Sequence, residues 1–207
     1  MSDDHFSQRG KFIVFEGGDG SGKSTQVNML ATRLSAMQTR EPGGTPIGDE
    51  IRSLVLNPEH PELSDRTEAL LMAAARSQHV DERIEPALAA GTHVICDRYV
   101  ASSLAYQGVG RGLGIDVVAE INRFATGGLE ADLTVLLDAD PKAARERLGE
   151  TLDRIEQAGA ALGEQVVDTY RSLAAKDPQR WVVIDANGEI DEVAGRINTA
   201  IADRLGL

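Results

Sequence analysis

Four consecutive apolar residues, Phe12-Ile13-Val14-Phe15, run into Gly17-Gly18-Asp19-Gly20-Ser21-Gly22-Lys23-Ser24-Thr25. The pattern demands a buried strand, a tight glycine turn and a helix within one short stretch of chain. Glycines let the backbone wrap closely and aim successive N–H groups at one anion, where a β-carbon would obstruct. The helix opening at Lys23 adds the positive end of its dipole. In the spacing G-x-x-x-x-G-K-[ST] the lysine reaches the β- and γ-phosphates, and the next hydroxyl, here Ser24, can ligate Mg²⁺. Gly17 to Thr25 are therefore expected to hold a nucleoside triphosphate.

Beyond this loop the chain alternates strand and helix signals. Short apolar strands are predicted at Phe12–Glu16, His93–Cys96, Leu133–Leu137 and Trp181–Ile184, with a poor one just before Thr39-Arg40. Helices are predicted over Lys23–Ala36, Pro46–Leu56, Asp65–Ala90, Ser102–Tyr106, Asp116–Ala125, Pro141–Ala158, Glu164–Ala175 and Glu189–Leu205. The alternation implies an α/β fold, a doubly wound five-stranded parallel sheet with helices on both faces. With 207 residues and no linker or repeat, a single domain over 1–207 is expected.

Charge narrows the function. A net charge of −12 offers no basic field for a nucleic-acid polymer, so small ligands are the expected partners. Only four lysines stand against seventeen arginines, so cations gathered in a cleft will be forked guanidiniums suited to phosphate. No apolar run spans a bilayer, and the polar start Met1-Ser2-Asp3-Asp4-His5 is no signal sequence; a cytoplasmic protein without membrane contact is expected. The single cysteine, Cys96, sits in an apolar strand and reads as an inert buried thiol.

In such sheets ligands bind where the strands end. The first strand gives the glycine loop, the second gives Thr39-Arg40-Glu41-Pro42-Gly43-Gly44-Thr45, the third Asp97-Arg98-Tyr99, and the fourth Asp138 ahead of an arginine-bearing helix. Arginines at one rim imply a second anionic ligand beside the triphosphate, the arrangement of a kinase with a phosphorylated acceptor.

The loop, Thr-Arg-Glu-Pro-Gly-Gly-Thr, Asp-Arg-Tyr, Ala-Tyr-Gln-Gly and Leu-Asp-Arg-Ile-Glu together resemble thymidylate kinases of the bacterial type, in order from about Phe12 to Asp185. The resemblance implies a P-loop kinase domain with a lid over about residues 141–160. It implies phosphorylation of dTMP to dTDP by ATP with Mg²⁺, supplying dTTP for DNA synthesis, in a homodimer. By the same resemblance Asp19 lies near the acceptor's 3′-hydroxyl and the metal, and Arg40, Arg52 and Arg98 grip the acceptor phosphate. Asp97, with Ser24, serves the metal. Met72 stands where the family stacks an aromatic ring on thymine, and Arg76, four residues on and on the same face, donates to the base. Ser103 bonds the base, Tyr106 crowds the sugar's 2′ position, Gln107 fits the family pattern, and Tyr99 shares their helical face. From the lid Arg145, Arg147 and Arg154 lie over the phosphates, Arg147 and Arg154 on one helical face. With Asp19, Lys23 and Arg98, Arg147 and Arg154 form the expected catalytic set.

A deoxynucleoside kinase is the nearest alternative, but Arg40 and Arg52 would then have no phosphate to grip. A nucleotide switch lacks its Asn-Lys-x-Asp base-reading stretch here. Two segments are short. Between Leu34 and Thr39 only four residues must supply a turn of about two to six residues and most of a strand of about five. A break in the chain near Ala36–Met37 is expected, and another near Gly149–Glu150.

Overall fold

The computed structural model describes residues 9–147, 153–155, 157 and 159–207. Five parallel strands form one sheet in the order β2-β3-β1-β4-β5: β1 Phe12–Gly17, β2 Met37–Arg40, β3 Val94–Asp97, β4 Leu133–Asp138 and β5 Trp181–Asp185. β1 lies in the middle, paired to β3 through Val14↔Cys96 and to β4 through Phe15↔Val135. Its six residues are all buried, as a central strand covered on both faces requires. Alternate residues feed opposite cores. Ile13 and Phe15 pack with Leu30 of α1 (Lys23–Leu34) and Ile197 of α9 (Ile190–Leu205). Phe12 and Val14 pack on the other face with Val80, Ile84 and Leu88. Burying a side chain such as Phe15 contributes about 1.5–3 kcal/mol. The fold class matches the sequence expectation.

The long helix expected over Asp65–Ala90 is α3 (Asp65–His79), a π-helical stretch at Val80–Ile84, and α4 (Glu85–Ala89). The one expected at Ser102–Tyr106 is α5 (Val100–Ser103) running into a π-helical stretch at Leu104–Gly110. The remaining helices are α2 (Pro46–Leu56), α6 (Ile115–Ala125), α7 (Pro141–Glu146) and α8 (Ala160–Lys176). Pro141–Ala158 is thus not one helix: α7 ends at Glu146, and Arg154 lies in a turn.

The chain is not broken at Ala36–Met37. Ser35 turns left-handed at the end of α1 (φ 50°), Ala36 N–H bonds back to Ala31 O at 2.9 Å, and Met37 N–H already joins His93 O at 2.8 Å. Two residues suffice because the left-handed cap reverses the chain at once. Moreover β2 is an edge strand of only four residues, paired to β3 alone. The second expected break, at Gly149–Glu150, lies outside the described residues.

Candidate active site

At the carboxyl end of β1 the loop closes over its lysine. Lys23 is buried, and its Nζ donates to Gly17 O at 3.0 Å and Gly18 O at 2.8 Å. Burial, aided by the charge of Arg98, lowers its pKa to about 8. A lysine so poised regains its full charge when an anion arrives. Gly20 (φ 76°) has the carbonyl of Ala144 only 2.0 Å from where a β-carbon would stand, so α7 sits directly on the loop. Ser24 and Thr25 are exposed at the start of α1. Ser24 Oγ donates to Asp97 Oδ2 at 2.7 Å. Asp97 Oδ1 is, among the described residues, the one buried side-chain polar atom without a hydrogen-bond partner. A buried carboxylate oxygen left bare beside a serine hydroxyl suits a hard divalent cation, which prefers oxygen donors.

Next to the loop a cleft of about 170 Å³ is lined by residues that include Asp19, Glu41, Arg52, Met72, Arg76, Arg98, Ser103, Tyr106 and Gln107, with Leu56, Asp153 and Ile155. Asp19 joins the two regions: it belongs to the loop, yet Arg98 and Tyr106 of the cleft donate to its two oxygens, at 2.5 and 2.8 Å. Burial would raise its pKa, but the charges of Arg98 and Lys23 outweigh that and hold it below the usual carboxylate range. Arg98 adopts a left-handed backbone (φ 70°), which costs a non-glycine residue about 1–3 kcal/mol. Its guanidinium is stacked on the Tyr106 ring at 5.4 Å and held by Ser102 Oγ and Tyr170 Oη at 3.1 and 3.0 Å. Arg52, bonded to Pro42 O at 3.0 Å, has its pKa lowered by burial and then by the guanidinium of Arg40. Cations that destabilise one another in this way form a seat for an anion. Arg40 itself is mostly exposed, 3.7 Å from Asp49, and is not among the cleft-lining residues.

Arg76 is only 3% exposed, and four of its five N–H donors are engaged. Nε donates to Glu41 at 2.6 Å, one terminal nitrogen to Ser103 and Asn122, the other to Tyr99 O at 3.1 Å. One donor is left to face the cleft. Glu41 also holds His79 at 2.9 Å, and His79 bonds Thr39 at 2.6 Å. Gly44 (φ 85°) gives this histidine room, since a β-carbon there would stand 2.6 Å from Nε2. Met72 is 8% exposed and packs with Val55, Ala105 and Ile155 while reaching the cleft. Gln107 lines the cleft with its amide turned to Glu68 at 2.8 Å. Tyr99 does not share the face of Ser103 and Tyr106. It precedes α5, packs edge-on against Phe12 at 5.0 Å, and donates to Leu129 O.

The lid arginines separate. Arg147 reaches Gly20 O at 3.5 Å, over the loop, and Arg145 is exposed on α7. Arg154 is not beside Arg147 on a helix: it donates to Val55 O at 2.7 Å and Glu68 at 2.5 Å, toward α2 and α3. The turn that replaces the expected helix is the reason. Sequence reasoning overlooked Glu16, Glu41, Glu68, Ser102, Asn122 and Tyr170, all buried polar partners of the arginines or of each other. One signal was available for Glu68: with Met72 and Arg76 it recurs every four residues on one face of α3.

Known proteins share this architecture. The crystal structure of thymidylate kinase from Ehrlichia chaffeensis superposes with a TM-score of 0.76 at 30% identity, over 93% of this chain and 99% of that one. The thymidylate kinase of Exiguobacterium sibiricum is 48% identical over 89% of this chain and 90% of its own length. That of Bdellovibrio bacteriovorus is 50% identical over 85% and 88%. The thymidylate kinase family model matches residues 15–197. The chain therefore belongs to the thymidylate kinase family, which phosphorylates dTMP to dTDP with ATP as donor.

Proposed function

We propose that ATP occupies Gly17–Thr25 and dTMP the adjoining cleft, with Asp19 at the meeting point. The observation that carries this reading is the pair of hydrogen bonds Asp19 accepts from Arg98 and Tyr106, which fasten the donor loop to the acceptor cleft. Arg52 and Arg98 take the acceptor phosphate, with Arg40 at the outer rim. Arg76 uses its remaining donor, and Ser103 its hydroxyl, on the base, which rests on Met72. Tyr106 packs at the sugar, and Gln107 closes the wall.

Phosphoryl transfer asks for alignment and charge neutralisation more than covalent chemistry. Lys23 and Arg147 lie on the side of the donor phosphates, Arg98 on that of the acceptor phosphate, so charge spreading over the transferred group meets fixed cations from both. Arg154 acts from the acceptor wall. Ser24 and Asp97 would hold Mg²⁺, which would supply positive charge against the phosphates; the bare Asp97 Oδ1 supports that assignment. Residues 1–207 form one kinase domain with a lid over about 141–160. The chain works in the cytoplasm as a homodimer, makes dTDP on the way to dTTP, and binds neither nucleic acid nor membrane. Among the described residues no helix is long and apolar enough to cross a membrane. For the dimer, α3 and α6 pack together and leave Leu70 and Phe124 57% and 90% exposed.

The test is ADP release with dTMP, its ribose analogue, UMP, thymidine or no acceptor. Turnover is expected to be highest with dTMP and absent with thymidine, which leaves Arg52 and Arg98 without an anion. Faster turnover with thymidine would overturn the acceptor assignment.

A further inference from the structure

Glu68 is a carboxylate with no solvent exposure, near the start of α3, and no step of the phosphoryl transfer needs it. Buried carboxylates survive only with full compensation. Three side chains supply it. Gln107 donates to Oε1 at 2.8 Å, Arg111 reaches both oxygens at 3.3 and 3.2 Å, and Arg154 donates to Oε2 at 2.5 Å. These bonds more than offset burial and hold its pKa below the usual carboxylate range.

The partners come from two segments, far apart in sequence, that both wall one cleft. Gln107 lies on the π-helical stretch at Leu104–Gly110, one residue beyond Tyr106. Arg154 lies between Asp153 and Ile155, both of which line the cleft. Arg154 is itself fastened to α2, through Nε to Val55 O and its N–H to Leu56 O at 3.1 Å, and Leu56 also lines the cleft. One charge thus ties the wall that carries Tyr106 to the wall that carries Asp153 and Ile155.

We infer that Glu68 is the positioning residue of the acceptor pocket, setting the spacing of its two walls through Gln107 and Arg154 without touching a reacting atom. The inference rests on the placement of dTMP in this cleft and deepens it. A residue that shapes the acceptor wall alone moves acceptor affinity and leaves the donor loop as it was. A residue that merely stabilises the fold acts on both ligands alike.

The experiment compares wild-type protein with Glu68→Gln, which keeps the shape and removes the charge. The readouts are KM for dTMP, KM for ATP and kcat, with direct dTMP and ATP binding by calorimetry. The expected result is a rise in KM for dTMP of about tenfold or more, because two largely shielded arginines lose their anion. KM for ATP and kcat should stay within about threefold, since uniform acceptor binding is what is lost. Unchanged dTMP affinity, or parallel losses for both ligands, overturns the inference. If Glu68→Gln does not fold, Arg111→Lys decides: it keeps the charge but loses the fork that reaches both Glu68 oxygens, and must raise KM for dTMP selectively. Wild-type protein that turns over dTMP without the variants shifting defeats this inference alone. Wild-type protein that fails to bind dTMP in the cleft defeats the acceptor assignment, and the inference with it.

Discussion

The glycine loop proposed for the donor and the cleft proposed for the acceptor are neighbours built by opposite means. The loop is nine contiguous residues, Gly17–Thr25, at the start of α1, and such a loop offers an anion its backbone N–H groups and a helix end. The cleft is assembled from side chains at the ends of β2 and β3, on α2 and α3, and on the turns after α5 and α7. Backbone sites are encoded by local spacing, because peptide dipoles are the same whatever the residue. Side-chain sites are encoded by what each charge is buried against, and those partners lie far off in sequence: Glu41 meets Arg76, Glu68 meets Arg154, Asp19 meets Arg98. Substitutions in the first region should therefore change rate, and in the second, stability and choice of acceptor.

The largest expected effect tests the donor side. Lys23→Ala should cut phosphoryl transfer by about 10²–10³-fold, the cost of one preorganised charge, while leaving the unfolding transition nearly unmoved. Near-normal turnover in the folded variant would break the comparison at its root. The opposite profile is expected of Glu41→Gln. It leaves Arg76 buried with its ion pair gone, which costs about 3–5 kcal/mol of stability. For a chain of this size that is a fall in Tm of roughly 6–20 °C by calorimetry. A change in rate without a change in Tm would mean that Glu41 belongs to the chemistry and not to the frame.

Tyr106 stands on the border. Tyr106→Phe removes only the hydroxyl bond to Asp19, about 0.5–1.5 kcal/mol, so kcat should fall by roughly tenfold or less. Tyr106→Ala also removes the ring, and should narrow the ratio of kcat/KM between dTMP and its ribose analogue. A ratio that does not move would reduce Tyr106 to packing.

The smallest effect is a proton. The pKa of Lys23 lies near 8 in the folded protein without nucleotide, below the free lysine value of about 10.4. Between those two values the unfolded chain binds more protons than the folded one, so this group's contribution to stability rises with pH. Phosphate favours the ammonium form, so ATP binding near pH 9 should take up part of a proton. Calorimetry in buffers of different ionisation enthalpy measures that uptake, and Lys23→Ala should abolish it. Equal apparent enthalpies across buffers would show that the lysine is already charged before ATP arrives.

Much of this was legible in the chain. The parallel sheet, the position of the loop and the strand ends that carry Arg40, Asp97 and Arg98 all follow from short apolar runs and what comes after them. The lid was not legible. Arg147 and Arg154 match one helical face by spacing, but α7 ends at Glu146 and sends them to different places. Nor was the short β2, because sequence arithmetic treats it as a central strand, whereas an edge strand needs partners on one side only. Tyr99 fell in the same way: its spacing to Ser103 presumes a helix that begins after it.

What the sequence determined by itself is whatever a local pattern specifies: short continuous apolar strands, glycines at left-handed turns, and a lysine and serine at the start of a helix. Tertiary structure alone decided which carboxylate answers each arginine. Solvation makes every charged residue equivalent while it is exposed. Only burial, which strips the water and leaves a few fixed neighbours, tells Arg76 from Arg145 and Glu68 from Glu146.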